Sequence, residues 1–276
     1  MGNNTTKSQI PVFKSVPAET GGSPLGDPVM HLKKDFRRTF HGARRFLLKH
    51  RWPILGSGGF LGILTFFFLN PHDLVLVDIV QSVDEGGLDR TAGQLGRWGD
   101  FSRYNLILFS TVWLLAFFSR ARLYQRLAVT FFLASVLAGV TCNIGKYATG
   151  RPRPHAEVPD RFYGVTAAVR GWDFHSFPSG HTSTAFGSAT ALLAGAGPVG
   201  LIGGGVATLF SGSISWARIY KDRHYPTDIV AGVWLGAVFG LATGMPYGRL
   251  RRRLRRRLAS RAANVSRQRG DAGGTL

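Results

Sequence analysis

Three short segments carry residues able to bind and cleave a phosphate ester. Lys146-Tyr-Ala-Thr-Gly-Arg-Pro-Arg153-Pro154 joins a lysine, which is a mobile point charge, to an arginine whose planar fork can hold two oxygens at once. Phe177-Pro178-Ser179-Gly180-His181-Thr182-Ser183 leads into an apolar run. Free amides near Ser179, Gly180 and His181 then fall at a helix N-terminus, where anions are attracted. His181 held over such a site can protonate a departing alkoxide. Arg218-Ile-Tyr-Lys-Asp-Arg-His224-Tyr-Pro226-Thr-Asp228 places a carboxylate four residues after a histidine. If Pro226 opens a helix, Asp228 can accept a hydrogen bond from one imidazole nitrogen of His224 and leave the other free as a nucleophile. Arg218 would be a third cation on the phosphate. Taken singly, each segment has a plainer reading: basic residues snorkelling at a helix end, a capping turn with an incidental histidine, and a surface ion-pair network.

The segments lie far apart in the chain, so the apolar runs between them decide whether they can meet. The 276 residues are 45% hydrophobic and 18% charged, and the apolar ones are gathered into runs. Uncharged, mostly apolar stretches extend from Pro53 to Pro71, Asn105 to Ser119, Leu127 to Gly145, Thr182 to Ala217 and Ile229 to Tyr247. Each approaches the roughly 20 helical residues that span a bilayer. The fourth is too long for one helix and breaks at Gly195, Gly197 and Pro198, which makes six spans. No run alternates like a barrel strand, and backbone groups in lipid must be paired internally, so the expected class is an all-α polytopic membrane protein.

A formal charge of +19 and a pI near 11.2 are also found in nucleic-acid binders, yet the basic residues flank the apolar runs, and no nucleic-acid partner is expected. One group precedes the first span (Lys33, Lys34, Arg37, Arg38, Arg44, Arg45, Lys49, Arg51). Another separates the second from the third (Arg120, Arg122, Arg126), and a last follows the sixth (Arg249 to Arg257). The positive-inside rule assigns all three to the cytoplasm, which six spans satisfy with both termini cytoplasmic. The three phosphate-directed segments then converge at the outer ends of spans three, four and six.

The rest of the chain divides around this domain. Residues 1–31 read as a disordered tail and residues 32–51 as a basic amphipathic helix on the membrane surface, with Leu32, Phe36, Phe40, Ala43 and Leu47 on one face. Residues 52–248 form the six-helix domain, and 249–276 a basic C-terminal tail in which Leu250, Leu254 and Leu258 repeat the surface design. The loop from His72 to Arg103 carries Asp73, Asp78, Asp84, Glu85, Asp89 and Asp100 and reads equally as a roof over the site and as a solvated connector. Gly232, Gly236, Gly240 and Gly244 form a groove for close helix packing within the molecule. Cys142 is assigned to packing, and His155 and His175 to loops. No histidine, cysteine or carboxylate spacing matches a metal site, so neither metal nor cofactor is expected.

In order and internal spacing, Lys-x6-Arg-Pro, Pro-Ser-Gly-His and Arg-x5-His-x3-Asp resemble the type 2 phosphatidic acid phosphatase family. The resemblance covers Lys146 to Asp228 in its motifs and most of residues 50–248 in layout. It implies that Lys146, Arg153 and Arg218 bind phosphate, with Ser179 and Gly180 adding donors. His181 would be the general acid, His224 the nucleophile and Asp228 its orienting partner. One position departs from the pattern: Ala217 stands where a serine is expected before Arg218. The implied activity is metal-independent hydrolysis of a lipid phosphate or pyrophosphate, such as phosphatidic acid, phosphatidylglycerol phosphate, undecaprenyl pyrophosphate or a phosphorylated glycolipid. It would proceed through a phosphohistidine on the outer face of a plasma membrane. Two other classes are transfer of the phosphoryl group to a lipid or sugar acceptor, and a noncatalytic carrier. Carriers bind near the midplane and show internal repeats, neither of which this sequence displays. The motifs do not determine the oligomeric state.

Overall fold

A computed structural model describes residues 28–83, 86–100 and 103–272, and every regular element among them is helical. In chain order the α-helices are α1 (Pro28–Lys49), α2 (Arg51–Leu64), α3 (Asp73–Ser82), α4 (Leu88–Trp98) and α5 (Tyr104–Phe118). They continue with α6 (Arg122–Thr149), α7 (Val165–Ala168), α8 (Gly180–Gly195), α9 (Pro198–Tyr220) and α10 (Pro226–Ala272). The tail expected over residues 1–31 falls, up to residue 27, outside the described residues, as do Asp84 and Glu85.

Three helical segments are long and apolar enough to cross a membrane: Arg51–Ser82, Arg122–Ala156 and Pro226–Asn264. The other expected spans coincide with α5, α8 and α9. Of these, α5 is apolar but short, with 15 residues, and α8 has 16. The sequence of α9 is diluted by glycine and serine. The small, weakly apolar residues of α8 have a physical reason. This helix packs against α6, α9 and α10, and its Ala185, Gly187, Ser188, Ala189 and Ala191 are buried by protein rather than facing outward. Large apolar side chains point away from the protein elsewhere, as at Phe60, Phe67, Leu201, Ile202 and Leu209, which suits a hydrocarbon surround.

The glycine stripe of α10 makes the tightest of these contacts. A β-carbon at Gly232, Gly236, Gly240 or Gly244 would come within 2.6–2.9 Å of backbone atoms of Ser179, Gly187 or Ala191. Glycine therefore sets how closely α10 lies on α8, the arrangement expected where van der Waals packing drives helix association. Polar contacts reinforce the bundle: Ser135 on α6 and Ser188 on α8 donate to Asn105 Oδ1 on α5, at 2.7 and 2.9 Å. Between α8 and α9 the chain turns at Gly197, whose φ of +67° lies in the left-handed region, and Pro198 opens α9.

Basic α1 docks through one buried acid. Asp35 accepts from Arg122 at 2.9 Å and Arg126 at 3.2 Å, pinning α1 to the start of α6. At the other end of the chain, α10 continues without a break through Pro246 and the arginine cluster to Ala272, so the C-terminal basic segment is helical over its described residues. The acidic loop of the sequence is also helical, as α3 and α4. Asp73 is buried rather than solvated, and α4 lies along α9.

Candidate active site

All eight residues singled out in the sequence meet in one cluster where α6, α8, α9 and α10 end on the same side of the bundle. Gly150, with φ of +54°, ends α6 and turns the chain toward Arg151 and Arg153. Proline at Pro226 opens α10, and Ser179 precedes the first turn of α8. Two contacts stitch these helix ends together. The Ser179 amide donates to the Asp228 carbonyl at 3.0 Å, and Gly180 sits so close to Lys146 that a β-carbon there would be 3.7 Å from its Cε.

His224 is 1% exposed, and its Nδ1 lies 3.4 Å from Asp228 Oδ2. Asp228, wholly buried, is held on every side. Ser176 Oγ donates to Oδ2 at 2.5 Å, the Tyr225 amide to Oδ2 at 2.9 Å, and Arg151 Nη1 to Oδ1 at 2.8 Å. This saturation keeps the carboxylate ionised and its direction fixed, so Nδ1 of His224 faces Asp228 and Nε2 faces away from it. Burial pulls the His224 imidazole down to about 3 against the pull of the Asp228 hydrogen bond, with the Lys146 charge adding to the depression. The ring is therefore neutral near pH 7 and its free nitrogen carries a lone pair.

Arg151, unassigned in the sequence reading, anchors this half. Its guanidinium is 1% exposed and also donates to Asp160 at 2.6 and 2.7 Å, Asp73 at 2.8 Å, Thr227 Oγ1 at 2.5 Å and Asn70 Oδ1 at 3.0 Å. The Tyr225 ring lies 4.2 Å from its centre. Three carboxylates from three parts of the chain thus converge on one cation, and Asp73 in turn accepts from the Thr227 amide at 3.1 Å and from its hydroxyl. Ser176 was likewise missed. The available signal for Arg151 was a further cation immediately past the end of α6; for Ser176, Asp73 and Asp160 no local pattern existed.

The other half is more open. His181, in the first turn of α8, has 22% of its side chain exposed, and its Nε2 lies 2.8 Å from Asp100 Oδ1. Lys146 and Arg218 lie within electrostatic reach of the imidazole, and Arg153 within reach of both cations. Lys146 Nζ donates to the His175 carbonyl at 2.9 Å, and the Arg153 side chain to the Trp172 carbonyl at 3.2 Å. The Nε of Arg218 is buried without a hydrogen-bond partner among the described residues. Such a group costs free energy unless something supplies an acceptor. No side chain caps the start of α8, so the amides of Gly180 and His181 add to the same positive region. The Ser179 amide is already committed to Asp228, and its hydroxyl accepts from Thr182 at 3.0 Å. Only the hydroxyl proton remains for a ligand, fewer donors than the motif reading allowed.

Several remaining residues have structural partners. His155 Nδ1–H donates to the Asp222 carbonyl at 2.7 Å, and His175 Nε2–H to the Ala168 carbonyl at 2.8 Å. Cys142 is buried and donates to the Pro178 carbonyl at 3.2 Å. Ala217 is fully buried against Ala92 and Tyr220. Beside Arg151 an apolar cavity of about 370 Å³ opens between α2, α6 and α10, walled by Leu61, Phe66, Phe162, Phe177 and Trp234. Among the described residues no three histidine, cysteine or carboxylate side chains are grouped as a metal site.

Residues 127–249 match the PAP2 superfamily. The lipid A 1-phosphatase of Rhizobium johnstonii is 37% identical over 119 residues, 41% of this chain and 44% of that protein. The lipid A 1-phosphatase of Porphyromonas gingivalis is 32% identical over 124 residues, 44% of this chain and 24% of that protein. The match spans less than half the length of these curated relatives. The crystal structure of Aquifex aeolicus LpxE aligns at 22% identity with a TM-score of 0.47, over 62% of this chain and 93% of that one. The stretch similar to the PAP2 superfamily, residues 127–249, holds Lys146, Arg153, Ser179, Gly180, His181, Arg218, His224 and Asp228.

Proposed function

We propose that this chain is an integral membrane lipid phosphatase, hydrolysing a lipid phosphate through a phosphohistidine at the outer membrane–water interface. The observation that carries the reading is the pairing of a neutral, buried histidine on a clamped carboxylate with a second, half-open histidine beside Lys146, Arg153 and Arg218. Phosphoryl transfer needs a placed nucleophile, an acid and concentrated positive charge, and this site contains each. His224 Nε2 attacks phosphorus as the bond to the leaving oxygen breaks, and His181 donates the proton that oxygen takes up. Water then attacks the phosphohistidine, giving its proton to His181 and releasing phosphate. Asp228 holds the His224 Nδ1–H, and the three cations with the α8 amides balance the phosphoryl oxygens.

The membrane arrangement we propose has six spans, α2 with its continuation, α5, α6, α8, α9 and α10, with both termini cytoplasmic. The site then faces the periplasm or cell exterior from the plasma membrane. Basic α1 and the arginines of α10 lie together at the opposite end of the bundle, as the positive-inside rule requires. A lipid tail is favoured by the site's position at the ends of apolar helices and by the apolar cavity beside it. Within the possible lipids, the names of the relatives favour a phosphorylated glycolipid of the lipid A type.

Phosphate release by the purified protein in detergent with excess EDTA tests this. Phosphatidic acid, phosphatidylglycerol phosphate, undecaprenyl pyrophosphate and lipid A are compared, with the His224→Ala variant alongside. EDTA-resistant release from lipid A, absent in the variant, is expected. Release that needs an added lipid or sugar alcohol would replace hydrolysis with transfer. Full activity in His224→Ala would remove the mechanism.

A further inference from the structure

We propose that Asp100 is the counter-ion of His181, a positioning residue that aims its imidazole and favours its protonated form until the leaving oxygen takes the proton. The inference rests on the assignment of His181 as general acid. An acid in that role must carry a proton before the substrate is cleaved, yet its surroundings oppose one. Burial is the largest of these effects, and Arg218 from α9 and Lys146 from α6 add positive charge beside the ring. An opposite charge at hydrogen-bond distance works against these effects, and Asp100 Oδ1 is 2.8 Å from Nε2.

Asp100 is held there by contacts that leave little room for anything larger. Ala92 of α4 packs against Ala217 and Tyr220 of α9, and Asp89 pairs with Lys221 at the end of α9. A β-carbon at Gly96 would stand 3.2 Å from Arg218 Nη1. One at Gly99 would stand 2.5 Å from Ile214 and 3.1 Å from the His181 ring, so the backbone leading to Asp100 lies directly on the histidine. Beyond it, the Asp100 carbonyl accepts from the amides of Arg103 and Tyr104 at 3.0 Å each, tying the residue to the start of α5. The carboxylate itself is 49% exposed. It can therefore give up the Nε2–H to an oxygen approaching from water or lipid while staying ionised. In the first step the His224–phosphorus bond forms, the phosphorus–oxygen bond breaks, and the His181 proton passes to the leaving oxygen. In the second, neutral His181 takes a proton from water and regains its pairing with Asp100.

The test compares hexadecyl phosphate, whose alkoxide needs protonation, with p-nitrophenyl phosphate, whose phenolate does not. Full-length wild type, Asp100→Asn, Asp100→Glu and His181→Ala are assayed in detergent. Asp100→Asn is expected to slow hexadecyl phosphate by about 10-fold or more and p-nitrophenyl phosphate by less than about 2-fold, since acid catalysis contributes about 10²–10⁴ in all. The alkaline limb of its kcat/KM profile should move to lower pH by about one unit, and Asp100→Glu should restore part of both. Equal slowing of both substrates with an unmoved limb means that Asp100 only supports the fold and overturns the proposal. Wild-type rates in Asp100→Asn overturn it too. If His181→Ala itself shows no leaving-group dependence, the acid assignment falls and Asp100 with it, while His224 as nucleophile stands. If wild type cleaves neither phosphate ester, the phosphatase reading fails first.

Discussion

His224 and His181 sit in the same cluster of helix ends but in opposite surroundings. Around His224 the supporting polar groups are paired and mostly buried: Asp228 has four partners, and Arg151 binds three carboxylates. Around His181 the ring is partly exposed, its one carboxylate partner is half in water, and Arg218 keeps a buried Nε unpaired. The difference matches two chemical tasks. A nucleophile gains from fixed direction and a neutral ring, whereas an acid and an anion-binding arginine must leave groups free for a ligand that arrives later. Within this cluster the unpaired Arg218 Nε is a donor that a phosphate oxygen would satisfy.

The largest effect should come from the proposed nucleophile. His224→Ala is expected to lower phosphate release by more than about 10³-fold and to abolish the acid-quenched phosphoenzyme. If phosphoenzyme still accumulates in that variant, the covalent step lies on another residue and the two histidines must exchange roles.

The two arginines sharpen the contrast further. Arg151→Met leaves Asp73, Asp160 and Asp228 without their cation, and breaking a buried ion network of this kind costs about 3–5 kcal/mol. Its thermal unfolding in detergent should drop well below that of wild type. Arg218→Met removes a group that is not satisfied to begin with, so unfolding should shift little while kcat/KM falls by about 10²-fold or more. Comparable unfolding losses in both variants would mean that the open half of the site is as structural as the closed half.

A pH dependence follows from the closed half. Unfolded, a histidine binds its proton near pH 6.5; in the folded chain burial holds His224 down to about 3. Between those values the unfolded chain binds more protons, so stability contributed by the neutral ring is present above about 6.5 and is lost as pH falls toward 3. Unfolding temperatures measured from pH 8 to pH 4 should decline, and His224→Gln should flatten the decline over that window. An equal slope in the variant would assign the dependence to other groups.

How much of this was legible in the sequence follows the same division. Spacing alone pointed to His224 with Asp228, because i and i+4 meet wherever a proline opens a helix. The break at Gly195, Gly197 and Pro198 likewise separated α8 from α9. The glycine stripe of α10 pointed to close packing, and the contacts with α8 place that packing inside the molecule. What sequence could not supply was the long-range pairing. Asp73 is separated from Arg151 by 78 residues and Asp100 from His181 by 81, and neither acid lies in a pattern that distinguishes it from its neighbours. The acidic stretch looked like a solvated face because carboxylates without a motif usually are one. Here α3 turns Asp73 inward to the buried arginine, and the turn after α4 brings the half-exposed Asp100 to the open histidine.

Ala217 gives the smallest expected effect and tests how the open half is bounded. The family pattern has a serine there, which would offer phosphate another hydroxyl. In this chain the side chain is fully buried against Ala92 of α4 and Tyr220, in the same contact that carries α4 toward Asp100. Other serines of α9 bond back along the helix: Ser211 to the Ala207 carbonyl at 2.7 Å, Ser213 to Leu209 at 3.1 Å and Ser215 to Ser211 at 2.8 Å. A hydroxyl at position 217 has the same recourse to the Ser213 carbonyl. Ala217→Ser is therefore expected to change kcat/KM by less than about 3-fold, near the limit of one modest hydrogen bond. A gain above about 10-fold would mean that the hydroxyl reaches the phosphate, and that α4 yields at Ala92 when substrate binds.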